Sequence, residues 1–204
     1  MKSIRVAVAA AAVGIALTAC SSPMQAGAAA VVGDQRITVS KVNADTQSFR
    51  AALKKVQVEE AQAFGGVPVS HVVLQRLVNV AVADELMRRY NLRASETEID
   101  NALRDPGQYQ TAEINLLANG VVPTDARDWG RAMVGLAKLQ QQFGGEAGQQ
   151  RLAQEFNGVK PIVNPRYGAL NLQRSEQNPG LFVDVGRFGK LTAVATPPAQ
   201  QPQG

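Results

Sequence analysis

Ser70-His71-Val72-Val73-Leu74-Gln75-Arg76-Leu77-Val78-Asn79-Val80-Ala81-Val82-Ala83-Asp84-Glu85-Leu86-Met87-Arg88-Arg89 is the stretch on which the fold turns. Val73, Leu74, Leu77, Val78, Ala81, Val82 and Leu86 recur at steps of one, three and four, the spacing of an apolar helix face. The stripe covers well over a third of the helix surface, so this helix is a core element around which others pack. Ser70 reads as its opening residue, and Pro68 forbids helix before it. Asp84, Glu85, Arg88 and Arg89 lie beyond the stripe and read as a solvated face. Neighbouring carboxylates on a helix diverge, so Asp84-Glu85 and Glu59-Glu60 do not converge on a substrate.

Other elements follow outward from this helix. Upstream, Ala30 to Val39 reads as a short strand, a Gly33-Asp34 turn and a second strand. Ser40 is a suitable N-cap for a helix carrying Val42, Phe49, Leu53 and Val56 and closed by Gly65-Gly66. Downstream, Ser95-Glu96-Thr97-Glu98 is a capping box, with Ile99, Ala102 and Leu103 as the apolar face of a short helix ended by Asp105-Pro106-Gly107. Residues 109–119 form a weaker helix ended by Gly120. Pro123-Thr124-Asp125 opens another, with Trp129, Met133, Leu136 and Phe143 on one stripe, stopped by Gly144-Gly145. A short helix with Leu152 and Phe156 ends at Asn157-Gly158. Val159 to Gly168 is held extended by Pro161 and Pro165 and suits an edge strand. Leu181 to Val185 is a small apolar patch, and the Pro/Gln-rich end from Pro197 is a low-complexity tail. The expected fold is mainly α, with a small β ladder joining the first and last segments, residues 31–39 against 159–167.

The amino end is an address. Lys2 and Arg5 precede an uncharged apolar run, Val6 to Leu17, that is too short to cross a bilayer comfortably. Leu17-Thr18-Ala19-Cys20 follows. An uncleaved anchor helix and an ordinary secretory signal cut near Ala19 are the alternatives.

The composition excludes several function classes. The 204 residues carry 21 Lys+Arg and 17 Asp+Glu, a net +4 that falls to +2 once Lys2 and Arg5 are removed with a signal. No basic block marks a nucleic-acid partner. A single Cys excludes an internal disulfide and a Cys-based zinc site, and a single His excludes His clusters, so no metal and no cofactor is expected. His71 at a helix start reads as a surface or partly packed side chain. No nucleophile elbow or phosphate loop is present. The protein is therefore expected not to be an enzyme.

Two resemblances add to this reading. Leu17-Thr18-Ala19-Cys20 resembles the bacterial lipobox, which implies cleavage before Cys20 and acylation of its thiol. The single Cys of the chain stands at the one position that needs it. Val31 to Val42, with its short strand, Gly turn, Ile-Thr strand and helix, looks like the opening of SurA-type chaperones. Leu77 to Leu103, with Tyr90-Asn91-Leu92 and the Ser95-x-x-Glu98-Ile99-Asp100 passage, is similar to the same family, as is Val163-Asn164-Pro165-Arg166-Tyr167-Gly168. The resemblance spans about residues 30–172. Full-length relatives carry parvulin isomerase domains with paired histidines. Only His71 is available here, which implies the chaperone-like domain without the isomerase.

The expected organisation is a signal at 1–19, a tether at 20–29, a SurA N-terminal-like helical domain at 30–172 and a tail at 173–204. Met87, Trp129, Met133 and Phe143 are candidate contacts for polypeptide, since Met and aromatic side chains adapt to varied apolar partners. The alternative is that they are core, with Trp129, beside Asp128 and Arg131, the most exposed. The expected function is that of a chaperone-like lipoprotein on the outer face of a membrane, attached through Cys20 and holding unfolded or exported polypeptides without ATP. The alternatives are an envelope adaptor with one fixed partner and a binder of small apolar ligands.

Overall fold

The structure is a computed structural model that describes residues 26–171 and 182–183. Cys20, the signal and most of the tail lie outside the described residues.

The chain enters through β1 (Ala28–Val32) and β2 (Gln35–Thr38), an antiparallel hairpin. Gly33, the first residue of its two-residue turn, sits at φ +53, where an L side chain is strained. Ala28, Ala29, Ala30 and Val32 are fully buried. The strand therefore begins two residues inside the expected tether, because a small-residue run is what fits when a strand is covered on both faces.

α1 (Val39–Lys55) follows without a loop. Its cap is Thr38, not Ser40: the Thr38 hydroxyl accepts from the Lys41 amide at 3.0 Å. The extended end of β2 already supplies the non-helical backbone that an N-cap needs. α1 stops at Lys55, earlier than Gly65-Gly66, because Gln57 turns left-handed at φ +56. A separate turn, α2 (Glu60–Phe64), ends on Gly65.

α3 (Val69–Arg89) is the core helix. It starts directly after Pro68 with no side-chain cap, so Ser70 lies inside it. Its stripe serves two clusters. Leu74, Val78, Ala81, Val82 and Leu86 pack under β1, Ile37, Val42 and Leu139. Val69 and Val73 join Phe49, Ala52, Leu53, Leu117 and Val122 in the second. Phe49 and Phe64 stack there at 5.6 Å.

α4 (Glu96–Arg104) carries the full capping box: Ser95 N–H donates to Glu98 Oε2 at 2.8 Å and Glu98 N–H donates to Ser95 Oγ at 3.3 Å. Lys138 at 2.8 Å, then Ser95, hold the Glu98 carboxyl down to about 2. α5 (Ala112–Ala118) is capped by Thr111. α6 (Ala126–Gln142) follows a short turn at Pro123–Asp125, and α7 (Gln149–Gly158) follows Gly144-Gly145. The buried face of α6 is Trp129, Gly130, Ala132, Gly135 and Leu139. Met133 and Phe143 are only half-buried, so the packed stripe is rotated from the expected one.

β3 (Ile162–Val163) closes the sheet in the order β2-β1-β3, pairing Ala30 with Val163 and Val31 with Ile162. The expected ladder between the two ends is present, through β1 alone. Asn164 fastens it: its amide donates to Ala29 O at 2.8 Å and its Nδ2 to Ala28 O at 2.9 Å. Pro165 then opens a helical turn, so the extended segment is shorter than expected. β4 (Ala169–Leu170) pairs with β5 (Phe182–Val183), which places Phe182 beyond the expected domain limit of 172 and against the main core.

Candidate functional site

The outward side of α3 repeats every four residues: Arg76, Val80, Asp84 and Arg88 share one edge, with Leu77, Ala81 and Met87 beside it. Three depressions lie along it. A cavity of about 60 Å³ is bounded by α3, residues 120–122 and Trp129. A depression of about 450 Å³ runs between all four residues of β2 and Leu77, Val80, Ala81 and Asp84. One of about 530 Å³ lies among Asp84, Met87, Arg88, Arg93 and Arg131. The first two share Lys41, Leu77, Val80 and Asp128, and the last two share Asp84, so the three make one trough along α3.

Its floor is apolar and its rims are charged. β2 is an edge strand of the sheet, so one side of its backbone has no strand partner among the described residues. Lys41 Nζ lies 2.8 Å from Asp45 Oδ1 and 2.6 Å from Asp125 Oδ1, tying α1 to the start of α6. Asp45 is only 4% exposed. Burial raises its pKa, opposed by Lys41. Asp84 is half-buried, not the solvated group expected, because β2 and α6 close over it. Burial raises its pKa too, against a hydrogen bond from Gln35.

The four candidate contacts are not one patch. Trp129 is 7% exposed, which overturns its expected exposure; its flanking charges turn outward while the ring faces the cavity. Met87 is 7% exposed and lies under α6 where Gly135 leaves room; a Cβ there would overlap its sulfur. Phe143 packs edge-on against Tyr90 at 5.2 Å, with the Arg151 guanidinium 4.2 Å above its ring. Met133 and Phe143 line none of the three depressions. His71 packs edge-on against Phe182 at 5.3 Å and Tyr167 at 6.3 Å, and burial lowers its pKa.

Sequence reasoning missed Lys41, Asp45, Arg76 and Asp125. The signal was available for two of them. Asp45 sits on the apolar face of α1 between Val42 and Phe49, and Arg76 interrupts the apolar run of α3. A charge on a buried face needs a partner or a purpose.

The described residues hold no group of three or more His, Cys, Asp and Glu placed to bind a metal. None of the described helices is long and apolar enough to cross a membrane.

The described residues form a helical domain clipped shut by a small sheet, with an open trough along its central helix. The family model for the SurA-like N-terminal domain matches residues 1–114, more than half of the chain. The chain belongs to that family, a domain type that is typically extracytoplasmic and points to a chaperone-like or protein-interaction role. No curated protein and no solved structure matches it significantly. The match ends within α5, while α6, α7 and β3 complete the same core.

Proposed function

We propose that the protein is a lipid-anchored holdase that grips extended, unfolded polypeptide segments in the trough, without ATP and without chemistry. The observation that carries this reading is the free edge of β2 beside the apolar floor of Leu77, Val80 and Ala81. An extended segment there adds main-chain hydrogen bonds to apolar burial, a mode that tolerates varied sequences. The packing of His71 among aromatic rings supports a binding role over catalysis.

Val80 tests the trough, since it is half-buried and belongs to neither core cluster. Val80→Asp is expected to leave melting nearly unchanged and to reduce suppression of client aggregation several-fold across unrelated unfolded proteins. Equal protection by the variant removes the trough from the account. Protection of one protein only, and none of the others, makes the adaptor reading the better one.

The anchor is proposed on Leu17-Thr18-Ala19-Cys20. Stable anchoring needs more than one acyl chain, which this type of processing supplies. The mature protein is expected to begin at an acylated Cys20. Mass spectrometry showing an unmodified Cys20 or a retained Met1 contradicts it.

A further inference from the structure

Two residues that line the small cavity at one end of the trough carry buried hydrogen-bond donors that find no acceptor among the described residues. Trp129 Nε1 is buried with no acceptor. Arg76 Nε is buried with no acceptor either, and among the described residues no carboxylate pairs with its guanidinium. Both residues line the same space of about 60 Å³. Its other charged groups are already matched. Lys41 lies 2.7 Å from Asp45 Oδ2 and 2.6 Å from Asp125, and Asp128 lies 2.8 Å from Arg131. Val73, Leu77, Val80 and Val122 supply apolar walls. A buried donor without an acceptor bears its full desolvation cost, so an arriving acceptor recovers that cost as affinity.

We infer that this cavity recognises a single carboxylate carried by a bound polypeptide, at the chain terminus or on an acidic side chain, through Arg76 and the Trp129 indole N–H. The inference rests on the trough being a polypeptide site. A carboxylate is flat, carries one charge and accepts from more than one donor, which matches a guanidinium without a carboxylate partner and an indole N–H on the lining of one cavity. One unmatched guanidinium balances the single charge of a carboxylate and not the double charge of a phosphate. The volume of about 60 Å³ admits a group of carboxylate size. Both nitrogens are closed off from solvent in the unliganded arrangement, so occupancy draws the two side chains toward the cavity. Trp129 is the only tryptophan, and its fluorescence reports that movement.

The test uses the full chain and one short apolar peptide in three forms: free acid, carboxyl-terminal amide, and amide with an internal Glu. Sodium acetate is the fourth probe. The free acid is expected to bind about tenfold or more tightly than the plain amide. That preference is expected to vanish in Arg76→Gln. Recovery of tight binding by the Glu-bearing amide assigns the site to acidic side chains as well as termini. No recovery assigns it to the terminus. Equal binding of all three forms overturns the carboxylate site and leaves the trough intact. If no peptide binds, an acetate-induced change in Trp129 emission that Arg76→Gln abolishes upholds the cavity site and overturns the trough. The absence of that change overturns both. If Arg76→Gln does not fold, Trp129→Phe, read by calorimetry, is expected to cut the acid-to-amide ratio several-fold. An unchanged ratio overturns the assignment.

Discussion

Trp129→Ala is expected to cost about 3–5 kcal/mol of folding stability, the usual range for emptying a large aromatic site. The residue is 7% exposed and borders the cavity that α3 and the 120–122 segment enclose with it. A domain of this size has about 5–15 kcal/mol in total, so the variant sits near the edge of folding. Its melting temperature is expected to fall by about 10 °C or more. Trp129→Phe should lose much less, because it keeps ring area and deletes the unanswered N–H. Melting followed by circular dichroism decides between packing and surface roles. An unchanged melt for the alanine variant means the ring does not pack as described.

Truncation after Gly158 is expected to loosen the whole amino-terminal hairpin. It removes β3, Asn164 with its two bonds to the β1 backbone, and the buried Val159 and Tyr167. Each of those two side chains contributes about 1.5–3 kcal/mol by burial. β1 changes from a central strand to an edge, and its small side chains have little packing of their own to hold it. Hydrogen exchange should show lost protection at Ala30 and Val31, with α4 and α6 retaining theirs, since α4 packs chiefly on α6, and α6 on α4 and α3. Full protection of β1 in the truncated protein rules out the clip.

Much of the fold was legible because it depends on near neighbours in sequence. The apolar period of α3, the capping box at Ser95 and the glycines at 33, 120 and 144 act over a few residues, and each does in the structure what its local chemistry requires. Boundaries were less legible where two local solutions compete. Thr38 and Ser40 both suit an N-cap, and the end of β2 chooses between them. Gln57 breaks α1 without a Gly or Pro to announce it.

The candidate site was legible only in part. Met87 and Trp129 were singled out for size and adaptability, and both border the trough, yet both are mostly inside. The residues that shape its chemistry, Lys41, Asp45, Arg76 and Asp125, come from α1, α3 and the start of α6. Lys41 and Asp125 are 84 residues apart in sequence. No periodicity relates such positions.

The amino-acid sequence by itself determined the class of fold, the central helix and the joining of the two ends by a small ladder, because apolar period, capping and proline restriction are properties of short segments. Only the tertiary structure decided which face of α6 turns inward, that Asp84 is covered, and that β2 keeps a free edge over an apolar floor. Those depend on how helices distant in sequence rotate and pack, and so does the pairing that leaves the Arg76 and Trp129 nitrogens without acceptors.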